Sequence, residues 1–237
     1  DGILVAGQAG RLIKSEGQEL FLATFGVLDA INGEYLIRGD DVANVCGNFV
    51  ILGYKCDRFS RQGLIHSLPS GKLDSVRHMN KWREIRSLFE KYVWPIAMEF
   101  FEPVLLPVIH WLQKFGLQLF VKCATAVTAG DCFWPQAHKD PDIWFTVLVC
   151  LHYGKCDVGG GDFAFTRAGW IFKCGNGSVL IYNPRLYHGT TEFDLPSKHD
   201  GKIFFAFYMK AEALQARLGS SFMPPAKLKL PYPFSLP

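Results

Sequence analysis

The chain has 237 residues, of which 49% are hydrophobic and 14% aromatic, enough for one large folded domain. A formal net charge of +3 permits a nucleic-acid partner, but a dedicated non-specific nucleic-acid binder would be more basic. The seven cysteines include no CxxC pair, which argues against a disulfide framework or a zinc ribbon and favours free thiols. No apolar run reaches the length of a membrane span, so no membrane partner is expected.

The first part of the chain predicts strands followed by a long loop. Residues 34–38 and 48–54 have strand composition, and residues 55–77 are polar and rich in glycine and serine. A loop of that length is either functional or a solvated surface segment, and both interpretations stay open. If DNA binds, phosphate contacts are expected first from the basic residues of this loop, Lys55, Arg58, Arg61, Lys72 and Arg77.

Two helices are predicted next. In residues 81–93 apolar side chains recur three and four positions apart, which is typical of an amphipathic helix, and Pro95 is expected to interrupt it. A second, more apolar helix is predicted from about Pro103 or Pro107 to Lys114.

The second half of the chain predicts a series of short strands. Residues 117–128 lead into a loop over 130–135, whose Phe133 and Trp134 either wall a substrate pocket or pack in the core. Asn176-Gly177 is the best signal for a two-residue hairpin turn. Further strands are expected at 143–152, 163–165, 170–173, 178–182 and 202–210, before a helix over 212–218 and a proline-rich tail. Short strands separated by turns indicate an antiparallel barrel or jelly roll.

One triplet in this region has metal-ligating chemistry, His138-Lys139-Asp140, with His188 far downstream. Two imidazoles and one carboxylate can occupy one face of a non-heme Fe(II) ion and leave three positions for a co-substrate and O2. Zinc fits less well, since its catalytic sites keep one open position. In a jelly roll the triplet would lie at the end of one strand and the distant histidine would enter from a neighbouring strand.

The order of motifs around the triplet resembles the Fe(II)/2-oxoglutarate dioxygenase superfamily. Within it the sequence is most similar to the TET/JBP group, which oxidises 5-methyl pyrimidines in DNA. The resemblance rests on residues 177–181, on His188-Gly189-Thr190-Thr191, and on Lys202 opening an aromatic strand that ends in Phe207-Tyr208. It covers roughly residues 132–210, about a third of the chain.

The resemblance implies that His138, Asp140 and His188 are the iron ligands. Lys202 stands where the family has an arginine that pairs with the far carboxylate of 2-oxoglutarate, and lysine keeps the charge without the bidentate fork. Tyr208 matches an aromatic residue that stacks on the flipped base.

Two positions depart from the family pattern at substrate recognition. Lys210 stands where the family has a base-contacting histidine. Ile143 replaces an asparagine or aspartate that reads the base edge, and the nearest carboxylate is Asp142. Base selection is therefore expected either to use Asp142 or to differ from the family.

The resulting prediction is an α+β domain with a double-stranded β-helix core braced by N-terminal helices. Residues 1–116 would supply strands, loop and helices, residues 117–210 the core with its metal site, and residues 211–237 a helix and tail. The expected activity is Fe(II)-, 2-oxoglutarate- and O2-dependent oxidation of 5-methylcytosine in DNA to 5-hydroxymethylcytosine and further products. N6-methyladenine is a second possible target, and the protein is expected to be a nuclear monomer.

Two alternatives stay open. The iron triad is shared with enzymes of the same superfamily that hydroxylate a protein side chain or a small molecule, so it does not fix the substrate. A non-catalytic, DNA-associated β-domain with structurally retained histidines is the alternative from another class.

Overall fold

The computed structural model describes residues 6–11, 17–19, 46–56, 64–67, 83–114, 121–122, 124–154, 158–194 and 200–211. The expectations for residues 34–38, for most of 55–77 and for 212–237 lie outside these ranges. Within them the protein is a mixed α+β structure with antiparallel sheets.

Twelve strands are described. In chain order they are β1 (Ala6–Arg11), β2 (Cys46–Cys56), β3 (Leu64–Ser67), β4 (Ala126–Trp134), β5 (Ile143–Tyr153), β6 (Gly159–Gly160), β7 (Phe163–Phe165), β8 (Trp170–Phe172), β9 (Ser178–Tyr182), β10 (Gly189–Thr190), β11 (Phe193–Asp194) and β12 (Gly201–Met209).

The largest sheet has seven strands in the order β1-β9-β5-β12-β4-β2-β3, with every pairing antiparallel. Smaller sheets follow the orders β10-β7-β8 and β11-β6. Because β1, β2 and β3 all join the seven-stranded sheet, the N-terminal part of the chain extends the same sheet that the later strands form. A short strand, β3, also lies within the segment 55–77 that was expected to be one long loop.

One long helical run, Arg83–Lys114, lies between β3 and β4 in the chain. It includes a π-helical turn at Phe89–Val93 and continues as α1 (Trp94–Lys114), with Pro103 and Pro107 inside it. The prediction of two helices separated at Pro95 is therefore wrong. A proline ring clashes with the carbonyl four residues earlier, here that of Lys91, and the π-helical turn changes the backbone geometry at that point, so the helix continues.

By length and composition alone, Arg83–Lys114 would also suffice to cross a membrane, contrary to the expectation that no run is long enough. Joining the two predicted helices produces this length. One face of the run packs against the seven-stranded sheet, and Phe89 stacks on Phe207 of β12 with ring centroids 3.6 Å apart. Such packing is typical of the core helix of a folded domain.

The alternation of side chains on β12 separates two hydrophobic clusters. Ile203, Phe205, Phe207 and Met209 face the helix, in a cluster with the odd-numbered residues of β5. Phe204 belongs instead to a second cluster, which it shares with β5, β7 and β9 on the other face of the sheet. Because side chains of a strand alternate between faces, the second face also carries Lys202 and Tyr208.

Two local predictions are corrected. Of the strand expected over 117–128, residues 117–120 and 123 lie outside the described ranges, and β4 begins at Ala126. β4 also runs through the segment 130–134 that was expected to be a loop, because β2 and β12 pair with it on both sides. Asn176-Gly177 does form a turn, with Gly177 at φ 75°, but the flanking strands β8 and β9 belong to different sheets. The turn is therefore a link between sheets and not a hairpin.

Candidate metal centre

His138 and His188 are held together by their main chains. The His138 N–H donates to the His188 carbonyl at 2.8 Å, and the His188 N–H donates to the His138 carbonyl at 2.9 Å. The Asp140 N–H donates to the Pro184 carbonyl at 2.9 Å. The segment after β4 is thus pinned to the segment after β9, and this brings residues distant in sequence to one point.

The three side chains converge as metal ligands would. Their candidate ligand atoms all lie within 4.8 Å of one another. Asp140 Oδ2 is 3.6 Å from His138 Nε2 and 3.3 Å from His188 Nε2. This is the only such group of three or more His, Cys, Asp or Glu side chains in the part of the chain that the structure describes.

The outer ring nitrogens of both histidines are occupied by main-chain carbonyls. His138 Nδ1 is 2.7 Å from the Gln136 oxygen, and His188 Nδ1 is 2.8 Å from the Leu186 oxygen. A carbonyl can only accept, so each Nδ1 carries a proton. Each Nε2 then faces Asp140, either protonated and donating to the carboxylate or, once that proton is lost, offering its lone pair to a metal. Hydrogen bonds of this kind orient histidine ligands in metal sites.

Electrostatics favour an ionised Asp140. Burial raises the pKa of its carboxyl, but hydrogen bonds from His138 and His188 and the charges of those rings outweigh burial and hold the pKa well below its usual range. His188 is 3% exposed and packs against Phe163 and Tyr182, with ring centroids 5.5 and 5.0 Å away. Two fixed nitrogens and one carboxylate oxygen therefore fit a divalent metal, and the set matches the facial triad of non-heme Fe(II).

A cavity of about 430 Å³ opens over these side chains, within the usual size range of small-molecule sites. Besides the three candidate ligands, its walls include Phe49, Thr128, Phe133, Asp142, Thr146, Leu148, Phe163, Tyr182, Phe204, Ala206, Tyr208 and Lys210. The strands β4, β5, β9 and β12 supply most of these walls from one face of the large sheet.

Lys202 is buried and does not project freely into the cavity. It is 2% exposed, and it is not among the residues that line the cavity. Its Nζ donates to the Gly160 carbonyl at 2.6 Å and to the Cys174 carbonyl at 2.9 Å, and it lies 4.0 Å from Asp162 Oδ1. Two of its three donors are therefore already used, and a carboxylate stands close to its charge.

Most of the predicted substrate-binding residues do line the cavity. Tyr208 is 7% exposed and its hydroxyl is 3.1 Å from Thr128 Oγ1, while Lys210 Nζ lies 5.7 Å from the centre of the Tyr208 ring. Phe133 and the buried Asp142 also contribute to the walls. Trp134 ends β4 and is absent from the lining.

Sequence reasoning missed several residues of the site. Thr128, Thr146 and Tyr182 line the cavity, and Asp162 neighbours Lys202. The strand period of two would have placed Thr146 on the same face as Leu148, but both faces of β5 are mainly apolar, so the sequence did not show which face meets the cavity.

No protein-family model matches the sequence, and no curated protein matches it. Among solved structures, NgTET1 in complex with 5mC DNA matches with a TM-score of 0.54 at 14% identity, over 88% of this chain and 73% of that one. The chain has the fold of the Fe(II)/2-oxoglutarate oxygenases.

Two prolyl hydroxylases match more distantly. The Pseudomonas putida prolyl-4-hydroxylase has a TM-score of 0.40 and 9% identity over 86% of this chain and 91% of its own. The viral collagen prolyl hydroxylase vCPH from Paramecium Bursaria Chlorella virus-1 has a TM-score of 0.35 and 9% identity, over 86% of this chain and 94% of its own.

Proposed function

We propose that the protein is an Fe(II)/2-oxoglutarate-dependent dioxygenase that oxidises the methyl group of 5-methylcytosine in DNA. The observation that carries the iron chemistry is the convergence of two histidine Nε2 atoms and the Asp140 carboxylate on one point of the cavity, with both rings oriented by their Nδ1–carbonyl hydrogen bonds. In this proposal the large sheet and the smaller sheets form the double-stranded β-helix of a single domain.

Fe(II) bound with 2-oxoglutarate and O2 supplies hydroxylation of a C–H bond, with succinate and CO2 as the other products. His138, Asp140 and His188 would hold the metal. Phe163 and Tyr182 pack the His188 ring on its buried side, which excludes water and limits ring rotation. The main-chain bonds between the two histidines keep the ligand spacing fixed before any metal binds.

Lys202 is the proposed positive charge for the far carboxylate of 2-oxoglutarate. It lies on the same face of β12 as the cavity residues Phe204, Ala206 and Tyr208, beyond Phe204. Its two bonds to carbonyls fix the ammonium in place and leave one N–H for the co-substrate. Because Lys202 does not itself line the cavity, this role requires the wall next to Phe204 to open toward the ammonium when the co-substrate binds.

A nucleic-acid substrate is supported by the wall and by the rim of the cavity. Tyr208 offers an aromatic surface for a base turned out of the duplex, held by its contact to Thr128. Lys139 lines the cavity, and its Nζ lies 4.6 Å from the centre of the Tyr187 ring, which the Arg167 guanidinium carbon also approaches, at 3.9 Å. These three residues are called the rim below. Both cations are exposed, and neither forms an ion pair in the described part of the chain. The match to the DNA complex of NgTET1 also supports a nucleic-acid substrate.

For location and assembly, the corresponding proposal is a nuclear monomer.

The proposal is tested with anaerobically purified protein, Fe(II) and 2-oxoglutarate. After admission of air, succinate and digested nucleosides are followed by mass spectrometry with duplexes that carry 5-methylcytosine or N6-methyladenine. The expected result is that the original protein forms 5-hydroxymethylcytosine and the His138→Ala variant does not. Succinate formed without oxidation of either duplex would reject the DNA substrate and keep the iron chemistry, whereas no turnover and no retained iron would reject the enzyme.

A further inference from the structure

Thr146 is buried in the cavity wall without a hydrogen-bond partner. It is 1% exposed, and its Oγ1 is the one buried side-chain nitrogen or oxygen that lacks a partner among the described residues. Buried hydroxyls are nearly always hydrogen-bonded in folded proteins, because leaving one unpaired costs free energy. The absence of a hydrogen-bond partner for the buried Thr146 hydroxyl therefore needs an explanation.

The side chain lies on the cavity side of β5. Thr146 and Leu148 line the cavity, whereas Phe145 and Val147 belong to the cluster against the helix. Across the sheet, Thr146 is in register with Tyr182 of β9, which also lines the cavity.

Tyr182 does not satisfy the hydroxyl. Burial strongly raises the pKa of Tyr182, and a weak hydrogen-bonding interaction with the Thr146 hydroxyl partly offsets that increase. No hydrogen bond of ordinary geometry joins the two side chains, so Thr146 Oγ1 stays unpaired. Thr146 lines the same cavity as Asp140 and His188.

A purely structural role gives no reason for a hydroxyl here. Valine has the same shape, has a similar preference for strands and would leave no buried polar atom unpaired. The strand already uses valine and leucine at 147, 148 and 149. A hydroxyl that costs stability is expected where it gains a partner from a ligand.

We propose that the Thr146 hydroxyl donates a hydrogen bond to an oxygen of the ligand that fills the cavity. The acceptor is a carboxylate oxygen of the 2-oxo acid or a carbonyl oxygen of the methylated base, and the inference rests on the proposed function for these two ligands. In either case Thr146 is a binding residue that was not identified from the sequence.

The test compares Thr146→Val, which keeps the shape, with Thr146→Ser, which keeps the hydroxyl. Thermal unfolding is measured without metal or ligand. Binding is measured anaerobically on Fe(II)-loaded protein, by calorimetry for 2-oxoglutarate and by fluorescence anisotropy for a 5-methylcytosine duplex.

Thr146→Val is expected to raise the melting temperature of the ligand-free protein and to weaken one ligand by about tenfold or more. Thr146→Ser is expected to bind that ligand within about threefold of the original protein. Weaker 2-oxoglutarate binding identifies the 2-oxo acid as the partner, and weaker duplex binding alone identifies the base.

Unchanged affinity of Thr146→Val for both ligands would overturn the inference, whatever the melting temperature of the variant. Failure of the proposed function gives a different result, namely no oxidised base with the original protein. In that event the calorimetric effect of Thr146→Val on 2-oxoglutarate still decides the inference.

Discussion

His138 and His188 exchange both of their main-chain hydrogen bonds, at 2.8 and 2.9 Å, although they belong to segments that follow different strands. The separation of the two candidate ligands is therefore set by backbone pairing and not by side-chain packing alone. A site built in this way is preformed, so a metal would not have to organise it.

The two histidines are expected to differ in their effect on stability. His188→Gln should lower the free energy of unfolding of the metal-free protein by about 1–3 kcal/mol, because the ring is buried among Phe163 and Tyr182. His138→Gln should stay within about 0.5 kcal/mol, since that side chain is 34% exposed. Urea unfolding and metal content are the measurements, and both variants should lose iron. Equal destabilisation by both would contradict a preformed site with one buried and one open ligand.

Lys202→Met is expected to destabilise the protein even without co-substrate. The change removes the Lys202 donor from the Gly160 carbonyl and one of the donors to the Cys174 carbonyl, which His152 Nε2 also contacts at 3.0 Å. Asp162 loses a cation 4.0 Å away but keeps its 2.7 Å ion pair with Lys173, so the expected loss is about 1–3 kcal/mol. Urea unfolding without 2-oxoglutarate measures it, with Lys114→Met on the exposed end of the helix as the matched control. Full stability of Lys202→Met, combined with lost 2-oxoglutarate binding, would show that the lysine serves the co-substrate alone.

The positions of several core strands could be predicted from local sequence, but the pairing between strands could not. Residues 143–152, 163–165 and 178–182 were predicted as strands because they combine apolar, β-branched and aromatic residues between turn residues, and β5, β7 and β9 confirm them. The strand at 126–134 contains Gly130 and Asp131, which locally oppose a strand. Pairing with two neighbours overcomes that preference, and such pairing is a tertiary effect.

The candidate site could be predicted as a set of residues, but its contacts could not. The pattern of His138, Asp140 and His188 was sufficient to propose a metal group, and the structure brings the three together. Nothing local indicated that Lys202 donates to two carbonyls, or that Thr146 faces the cavity unpaired. Both facts depend on which face of β5 and β12 meets the smaller sheets.

At Trp144 the glycine variant is expected to be more stable than the alanine variant, the reverse of the order at an ordinary strand position. Its φ is 65°, a conformation that favours glycine, and its ring packs edge-on against Trp111 of α1 at 5.3 Å. Trp144→Gly and Trp144→Ala both lose the ring contact, but only glycine relieves the backbone. Glycine should therefore be the more stable variant, by about 1 kcal/mol in urea unfolding.

The matched control for Trp144 is Val149, a buried residue of the same strand. There Ala should be more stable than Gly by about 0.5–1 kcal/mol, because glycine in a strand interior costs conformational entropy. If alanine is also the more stable variant at position 144, the positive φ does not store strain.

Asp131 is expected to make the protein less stable as pH rises. Burial raises the pKa of its carboxyl, against hydrogen bonds from Tyr153, at 2.8 Å, and from Cys132. The folded protein therefore binds the proton more tightly than the unfolded chain, whose aspartates titrate near about 3.9. Stability is lost from that pH upward, until the folded carboxyl has ionised.

Asp131→Asn should remove this loss. The variant is expected to match the original protein near pH 3 and to exceed it at pH 7, as measured by chemical unfolding across that range. Asp194→Asn, the same change at an exposed position, is the control and should leave the pH dependence unaltered. A variant that is less stable than the original protein at pH 7 would show that the ionised carboxylate contributes favourably through Tyr153.

Lys139 and Arg167 are expected to contribute to DNA affinity through phosphate contacts. Both cations lie over the Tyr187 ring, and Lys139 also lines the cavity. The ring contacts limit the motion of the two cations and leave their charge exposed. Lys139→Gln and Arg167→Gln should each reduce the slope of log K against log salt by about 0.9 for duplex DNA. Lys114→Gln removes the same charge at the end of the helix and should leave the slope unchanged. Fluorescence anisotropy over a range of salt concentrations gives the slopes.

Identical slopes for all three variants would exclude the rim as a phosphate-binding surface. If a poly-glutamate peptide binds as tightly as the duplex, the two cations would be assigned to acidic proteins instead.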